Sequence, residues 1–457
     1  MTPITISHLS KVRKGGGVRC GAFVYANDPQ GSLFDRMNGH ALRVAGLGIT
    51  VDTGGLIAEL RDTAAMRRTA DIRQFDFKRD PLPNALGLGG AGKPFNHTRF
   101  NHMIGTGAIS QLMVHNNRDS IPSVDHDSLV AFDATHDVSS MAGNDGVKLV
   151  RPGRFEEDLY YRDSFLCDPG IAKILERHHA NPELMAQLSS ESDPRYKVFH
   201  DIADRVSYVS GDIEEFERLT VPHERFVELA TQNPVRRIYE LSRNYRGRPI
   251  GSLWETVRFD DQGPYFLDGD HLARFLELRA NLFAGIYLNP QSRGADCIVA
   301  IILVRYCFEK GLMSFTDLLK MDDSGLLRYL GAISGFNRFV AEENGIMPNP
   351  ERIFLATPET ALRESARLAA AGNLTLIEDC SHSPGTAVGW RIKSKGRIRP
   401  LKDMLPTDAE RIEKAMALTR RITVSWIPAG DLVASHGIPE QFAQKLLAFE
   451  QERLRII

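Results

Sequence analysis

The chain has 457 residues, 42 % apolar and 25 % charged, with a net charge of −2. That length exceeds what one small core needs, so two or three lobes are expected, and the near-zero charge excludes a global attraction for nucleic acid or membrane. The five cysteines (Cys20, Cys167, Cys297, Cys307 and Cys380) are odd in number and scattered, with no C-x-x-C; this excludes a Cys-rich zinc module and argues against a disulfide framework.

In chain order, the first forty residues are Gly-rich and read as an irregular arm. Apolar and arginine positions then alternate at helical spacing from Thr53 to Phe75, followed by a Pro/Gly-rich loop, RDPLPNALGLGGAGKP. Helical patterns resume at Thr98–His115, Ser128–His136, Pro169–His179 and about Tyr196–Tyr208. A Gly/Asp-rich turn (DDQGPYFLDGD) precedes apolar-periodic helices at His271–Tyr287 and Gly294–Lys310. Residues 350–457 change character, with strand-like runs (RIFLA, LTLIED, RITVSWI) between helical segments. The longest apolar run, Cys297 to Val304, is too short to span a bilayer and reads as a buried helix. The N-terminal MTPITISHLSKVRKGGG lacks the apolar stretch of a signal sequence, so a reducing, cytoplasmic setting is expected.

Three features carry chemistry. Arg99-Phe-Asn-His102 opens one helix, His136-Asp137 closes an apolar helix, and Asp204 lies on a third. Two imidazoles and two carboxylates form a mixed N/O set that suits Mn²⁺, Fe²⁺, Zn²⁺, Co²⁺ or Ni²⁺ better than a thiolate site would. On a helix, Arg99 faces the same way as His102, so its guanidinium is placed to hold a phosphate beside the metal. Two rival pairs exist. Asp127 of His126-Asp127 reads as a helix cap; His200-Asp201 lies on the Asp204 helix, where His200 at i−4 is either a supporting residue or a ligand.

Residues about 52–330 resemble the HD-domain deoxynucleoside triphosphate triphosphohydrolases and their relatives. The resemblance is carried in family order by DTAAMRRTADIRQ, NHTRFNHMIGTGAIS, LVAFDATHDVSS, DRVSYVSGD, and LRANLFAGIYLNPQSRGAD with DLLKMDDSGLLRYL. It implies a mainly α fold: an N-terminal arm (1–50), a helical HD core (51–345) and a smaller C-terminal α+β region (346–457). It also implies that His102, His136, Asp137 and Asp204 hold a divalent metal ion, Mg²⁺ being a further possibility. Arg99 and Arg205 would contact phosphate, Tyr208 the sugar or phosphate, and Arg279 and Arg293 the phosphate tail. A nucleotide substrate and a homo-oligomer formed through helices near the site are implied as well.

The chain departs from that pattern where the family keeps proton-transfer histidines. Ser140 and Asp145 stand in two such positions, Arg162-Asp163 in a third, and Tyr287-Leu288-Asn289 replaces a tyrosine-x-histidine. A serine is a poor general acid beside an imidazole whose pKa lies near the working pH, which leaves Asp137, Asp145 or Asp163 as acid/base candidates. Hydrolysis of a (deoxy)nucleoside triphosphate is the leading expectation. The alternatives are a catalytically weakened HD protein that binds nucleotide as a sensor or assembly subunit, and an HD nuclease or phosphodiesterase.

Other signals read as background. Gly87–Lys93 fits G-x-x-x-x-G-K, but Pro94 removes the magnesium-binding hydroxyl and no strand precedes it, so a loop over the pocket is expected, with Lys93 within reach of a phosphate. The Met66–Arg73 run reads as a solvated face. Arg391–Lys402, the most basic stretch, reads first as a solvated hairpin, with nucleic acid as a less favoured partner. Cys380 and His382, two apart on a strand, do not reach each other productively, and Cys380 reads as a core cysteine.

Overall fold

The computed structural model describes residues 24–25, 41–44, 47, 49–52, 54–74, 97–151, 155–156, 158–219, 233–288, 295–335, 351–381, 385–436 and 438–456. The fold is mainly helical with three small sheets. Strands β1 (Val24–Tyr25), β2 (Ala41–Val44) and β3 (Ile49–Asp52) form one sheet in the order β1-β3-β2. Strands β4 (Val257–Asp260), β5 (Gly263–Phe266), β8 (Arg391–Ser394) and β9 (Arg397–Pro400) form a second. Strands β6 (Glu351–Leu355), β7 (Asn373–Asp379) and β10 (Ile422–Pro428) form a third, in the order β6-β10-β7.

The Thr53–Phe75 pattern resolves into two helices, Gly54–Arg61 and Ala64–Arg68, because the Thr63 hydroxyl accepts from the Met66 amide and restarts the helix. Its arginines are not all solvated: Arg68 is sunk between elements and donates to Val138 O (2.8 Å), Ser140 O (2.7 Å) and Met321 O (3.0 Å). The Gly/Asp-rich segment is a hairpin rather than a lone turn, with Gly263 at φ +101° closing β4 onto β5.

Three helices position the candidate site: Arg99–Asn116, His126–Asp133 and Pro194–Leu219. Thr98 caps the first by accepting from Asn101 N. This helix is buried nearly all round, and two glycines let its neighbours approach. A Cβ on Gly105 would lie 2.8 Å from Ser207 Oγ; one on Gly107 would lie 2.6 Å from Ala134 Cβ and 3.0 Å from its backbone.

The hydrophobic clusters follow packing rather than chain order. The first joins these helices to Val388, Trp390, Ile392, Leu401, Ala409, Ile412 and Met416 from the C-terminal part. The second joins the Ala295–Glu309 helix to the β6-β10-β7 sheet and its helices. Across it, buried Arg305 donates to Glu450 at 3.0 and 3.2 Å. Among the described residues no helix is long and apolar enough to cross a membrane.

Candidate metal centre

His102 on the Arg99–Asn116 helix, His136 in the turn after the His126–Asp133 helix, and Asp204 on the Pro194–Leu219 helix converge. Asp204 Oδ1 lies 2.9 Å from His102 Nε2 and 3.4 Å from His136 Nε2, and the two Nε2 atoms are 3.2 Å apart. His136 Nδ1 faces Asp133 O at 3.0 Å, a contact that places its proton on Nδ1 and leaves Nε2 as the lone-pair donor. His102 Nδ1 is buried with no hydrogen-bond partner among the described residues. Asp137 Oδ2 stands beside the cluster, 3.6 and 3.5 Å from the two Nε2 atoms, and accepts a short hydrogen bond from Arg99 Nη1.

Two imidazole nitrogens held this close in a buried pocket, with carboxylates on the same point, are a donor set for a cation. The electrostatics agree. Burial lowers the His102 pKa. Burial opposes charge on His136 too, but Asp137 and Asp204 outweigh it and push that imidazole up to about 10. Burial would raise both carboxylates, yet Arg99 and the imidazoles hold Asp137 low, and hydrogen bonds from His102 and His136 hold Asp204 well below the usual carboxylate range. The residues fit a divalent ion of the N/O-preferring kind.

The remaining expected site residues fall in different places. Arg99 is buried, and its Nη2 donates to Asn144 Oδ1 at 2.7 Å, with Asp145 Oδ1 at 3.5 Å. Asp145 is exposed at the rim and pairs with Lys148. Asp163 is exposed; the contact to the His136 turn is made by its neighbour, Ser164 Oγ to Ser139 Oγ at 2.6 Å. Ser140 Oγ is buried without a partner among the described residues. Arg205 donates to Asp201 at 3.0 Å and its guanidinium carbon lies 4.7 Å over the Trp390 ring, while its Nη1 is buried with no partner among the described residues. Burial, and then the neighbouring Arg279, lower the Arg205 pKa. Arg279 donates to Tyr208 Oη at 2.5 Å and to Gly385 O at 3.1 Å. Lys93 and Arg293 lie outside the described residues.

A chain of rings leads away from the ligands: Tyr208 lies 6.2 Å from His102 and 6.1 Å from Tyr287. Tyr287 donates to Asp212 Oδ2, and His97 Nδ1 meets Asp212 Oδ1 at 2.7 Å.

Sequence reasoning missed two groups. One is Asn144, whose left-handed φ of +43° and hydrogen bonds to Arg99 and to Arg73 O and Gln74 O pin the loop; an Asn following Gly143 was its only signal. The other is Trp390, for which no local pattern exists. His200, which the spacing offers as a ligand or a support, takes a distinct place. Its Nδ1 is bound to buried Asp133 Oδ1 at 2.6 Å, its ring lies 4.8 Å from that of His136, and it is partly exposed.

Together, fold and donor set define a mainly helical protein with a buried His/His/Asp candidate metal centre. No protein-family model and no curated protein sequence matches the chain. Solved structures share the fold, two of them as follows. A hypothetical protein from Aquifex aeolicus is 13 % identical, with a TM-score of 0.52 over 85 % of this chain and 96 % of its own. A phosphohydrolase from Bacteroides thetaiotaomicron is 12 % identical, with a TM-score of 0.51 over 82 % of this chain and 95 % of its own.

Proposed function

We propose that the chain is a metal-dependent phosphohydrolase of the HD class that acts on a nucleotide, with (deoxy)nucleoside triphosphates the first substrates to test. The observation that carries this reading is the convergence of His102, His136 and Asp204 beside two arginines, Arg205 and Arg279, that crowd each other's charge. The fold shared with a phosphohydrolase supports it. His102, His136 and Asp204 would hold the ion, with Asp137 beside them. Such an ion would polarise a phosphoryl oxygen and lower the pKa of water.

The chain's own residues take the other roles. Arg205, with a guanidinium nitrogen unpaired among the described residues, and Arg279 neutralise charge on the phosphate. Arg99 holds Asp137 in place, because its guanidinium is already engaged by Asp137 and Asn144. Asp133 holds one nitrogen of His200 and leaves Nε2 free to exchange a proton, a task for which Ser140 is unsuited. Asp145 at the rim is the second acid/base candidate, and Asp163 the third.

The test is release of phosphate, pyrophosphate, triphosphate and nucleoside from the eight common (deoxy)nucleoside triphosphates with Mn²⁺, Mg²⁺, Co²⁺ or Fe²⁺, on wild type beside Asp204→Asn. Turnover that vanishes in the variant supports the proposal and identifies the leaving group. Stoichiometric metal binding with no turnover refutes it in favour of a nucleotide-binding, non-hydrolytic protein.

A further inference from the structure

The stretch from 385 to 405 holds six cations and one carboxylate, Asp403, in a chain of net charge −2. Arg391, at the root, is consumed by Asp260 Oδ1 at 2.7 Å. The others, Lys393, Lys395, Arg397, Arg399 and Lys402, are all exposed, and none has a carboxylate partner among the described residues. Exposed arginines elsewhere commonly have one: Arg195 with Asp193 at 2.8 Å, Arg248 with Glu255 at 2.7 Å, Arg367 with Glu364 at 2.6 Å.

The hairpin is rigidly placed. Lys395 (φ +48°) and Gly396 (φ +77°) form its two-residue turn, β8 pairs with β5 in the core sheet, and Ile392 is buried. Cross-strand partners share a face, so Lys393 (opposite Ile398) lies on one side and Arg397 and Arg399 (opposite Ser394 and Ile392) on the other. Lys395 sits at the tip and Lys402 beyond β9. The hairpin's base carries Trp390, which supports Arg205 at the candidate site, and Leu401 N bonds back to Trp390 O at 2.8 Å.

Cations arranged around a hairpin cannot converge on one small anion, which would meet one or two of them. A flexible chain of anions meets them all. Within the hairpin itself no large apolar side chain is exposed, and a single exposed leucine beside it, Leu267, is too little to enter a lipid surface. We propose that the β8–β9 hairpin binds the phosphate backbone of single-stranded nucleic acid, without reading sequence.

Binding of a fluorescent oligo-dT strand to the full chain is measured by anisotropy in EDTA, where hydrolysis plays no part, so failure of the hydrolase reading leaves this result intact. Five contacts at about −0.7 each give a log–log salt slope near −3.5, or about a 100-fold affinity loss from 50 to 200 mM salt. Replacing Lys393, Lys395, Arg397 and Arg399 together with Ala should flatten the slope to about −0.7, about a threefold loss over the same range, and weaken binding at 50 mM by at least about tenfold. Lys173→Ala/Arg328→Ala, exposed cations elsewhere, should leave both values unchanged, and melting curves confirm that each variant folds. The proposal is overturned if no strand binds at 50 mM salt, or if the four substitutions leave the slope unmoved. It is also overturned if tripolyphosphate at equal phosphate concentration displaces the strand as well as unlabelled oligo-dT does.

Discussion

Replacing Gly107 with alanine isolates how helix packing builds the candidate metal centre. The new Cβ would sit 2.6 Å from Ala134 Cβ, where ordinary contact begins near 3.4 Å, so the Arg99–Asn116 helix and the His136 turn must part by about 1 Å. Overpacking of this kind costs about 1–3 kcal/mol, while alanine in place of glycine inside a helix returns about 1 kcal/mol. The net loss of stability is therefore about 0–2 kcal/mol, a modest shift in the melting temperature. The metal centre has less slack, because His102 and His136 ride on the two parts being separated and ligand bonds tolerate displacements of only about 0.2 Å. Titration calorimetry with Mn²⁺ or Co²⁺ should show affinity reduced by about 10–100-fold, the range seen when ligand support is disturbed.

Gly105→Ala is the control. Among the described residues its Cβ crowds only Ser207 Oγ, the end of a side chain that can rotate away, at the cost of its hydrogen bond to His102 O, about 0.5–1.5 kcal/mol. Wild-type metal affinity in Gly107→Ala, or a larger loss in Gly105→Ala, would refute the argument that this approach sets the ligand geometry.

Other perturbations test other parts. Ligand nitrogens must be unprotonated, and the His136 imidazole is pushed up to about 10, so metal binding at pH 7.5 should expel about one proton, seen as a buffer-dependent binding enthalpy; no proton release would contradict the charge state. By the same shift, the stabilisation His136 gives the metal-free fold is complete below its ordinary value near 6.5 and fades as pH rises through about 10, which melting curves in EDTA would follow. His200→Gln and Asp133→Asn should lower kcat by about 10²-fold or more with metal affinity kept, whereas Asp163→Asn should leave kcat near wild type; the reverse order would move the proton-transfer role to Asp163. Glu450→Leu strands buried Arg305 and should cost about 3–5 kcal/mol in urea unfolding, most of it recovered in Arg305→Met/Glu450→Leu.

The sequence by itself determined the fold class and pointed to the side chains that converge. Helical periodicity marks the helices that carry or precede His102, His136 and Asp204, while the resemblance to HD phosphohydrolases, rather than spacing alone, grouped these three residues. The same resemblance pointed Arg205, Tyr208 and Arg279 toward the substrate's phosphates or sugar, which says nothing of their contacts with one another. Tertiary structure decided what those residues touch. Arg99, placed by spacing toward phosphate, is engaged by Asp137 and Asn144, because the loop after His136 is held against it by Arg68. His200 gained its partner Asp133 from another helix, and Arg205 gained Trp390 from a segment that sequence assigned to a separate region. Periodicity along one element carries no information about which side chain of a distant element will face it. That pairing is set by where glycines permit close approach and by which buried polar groups must find a partner.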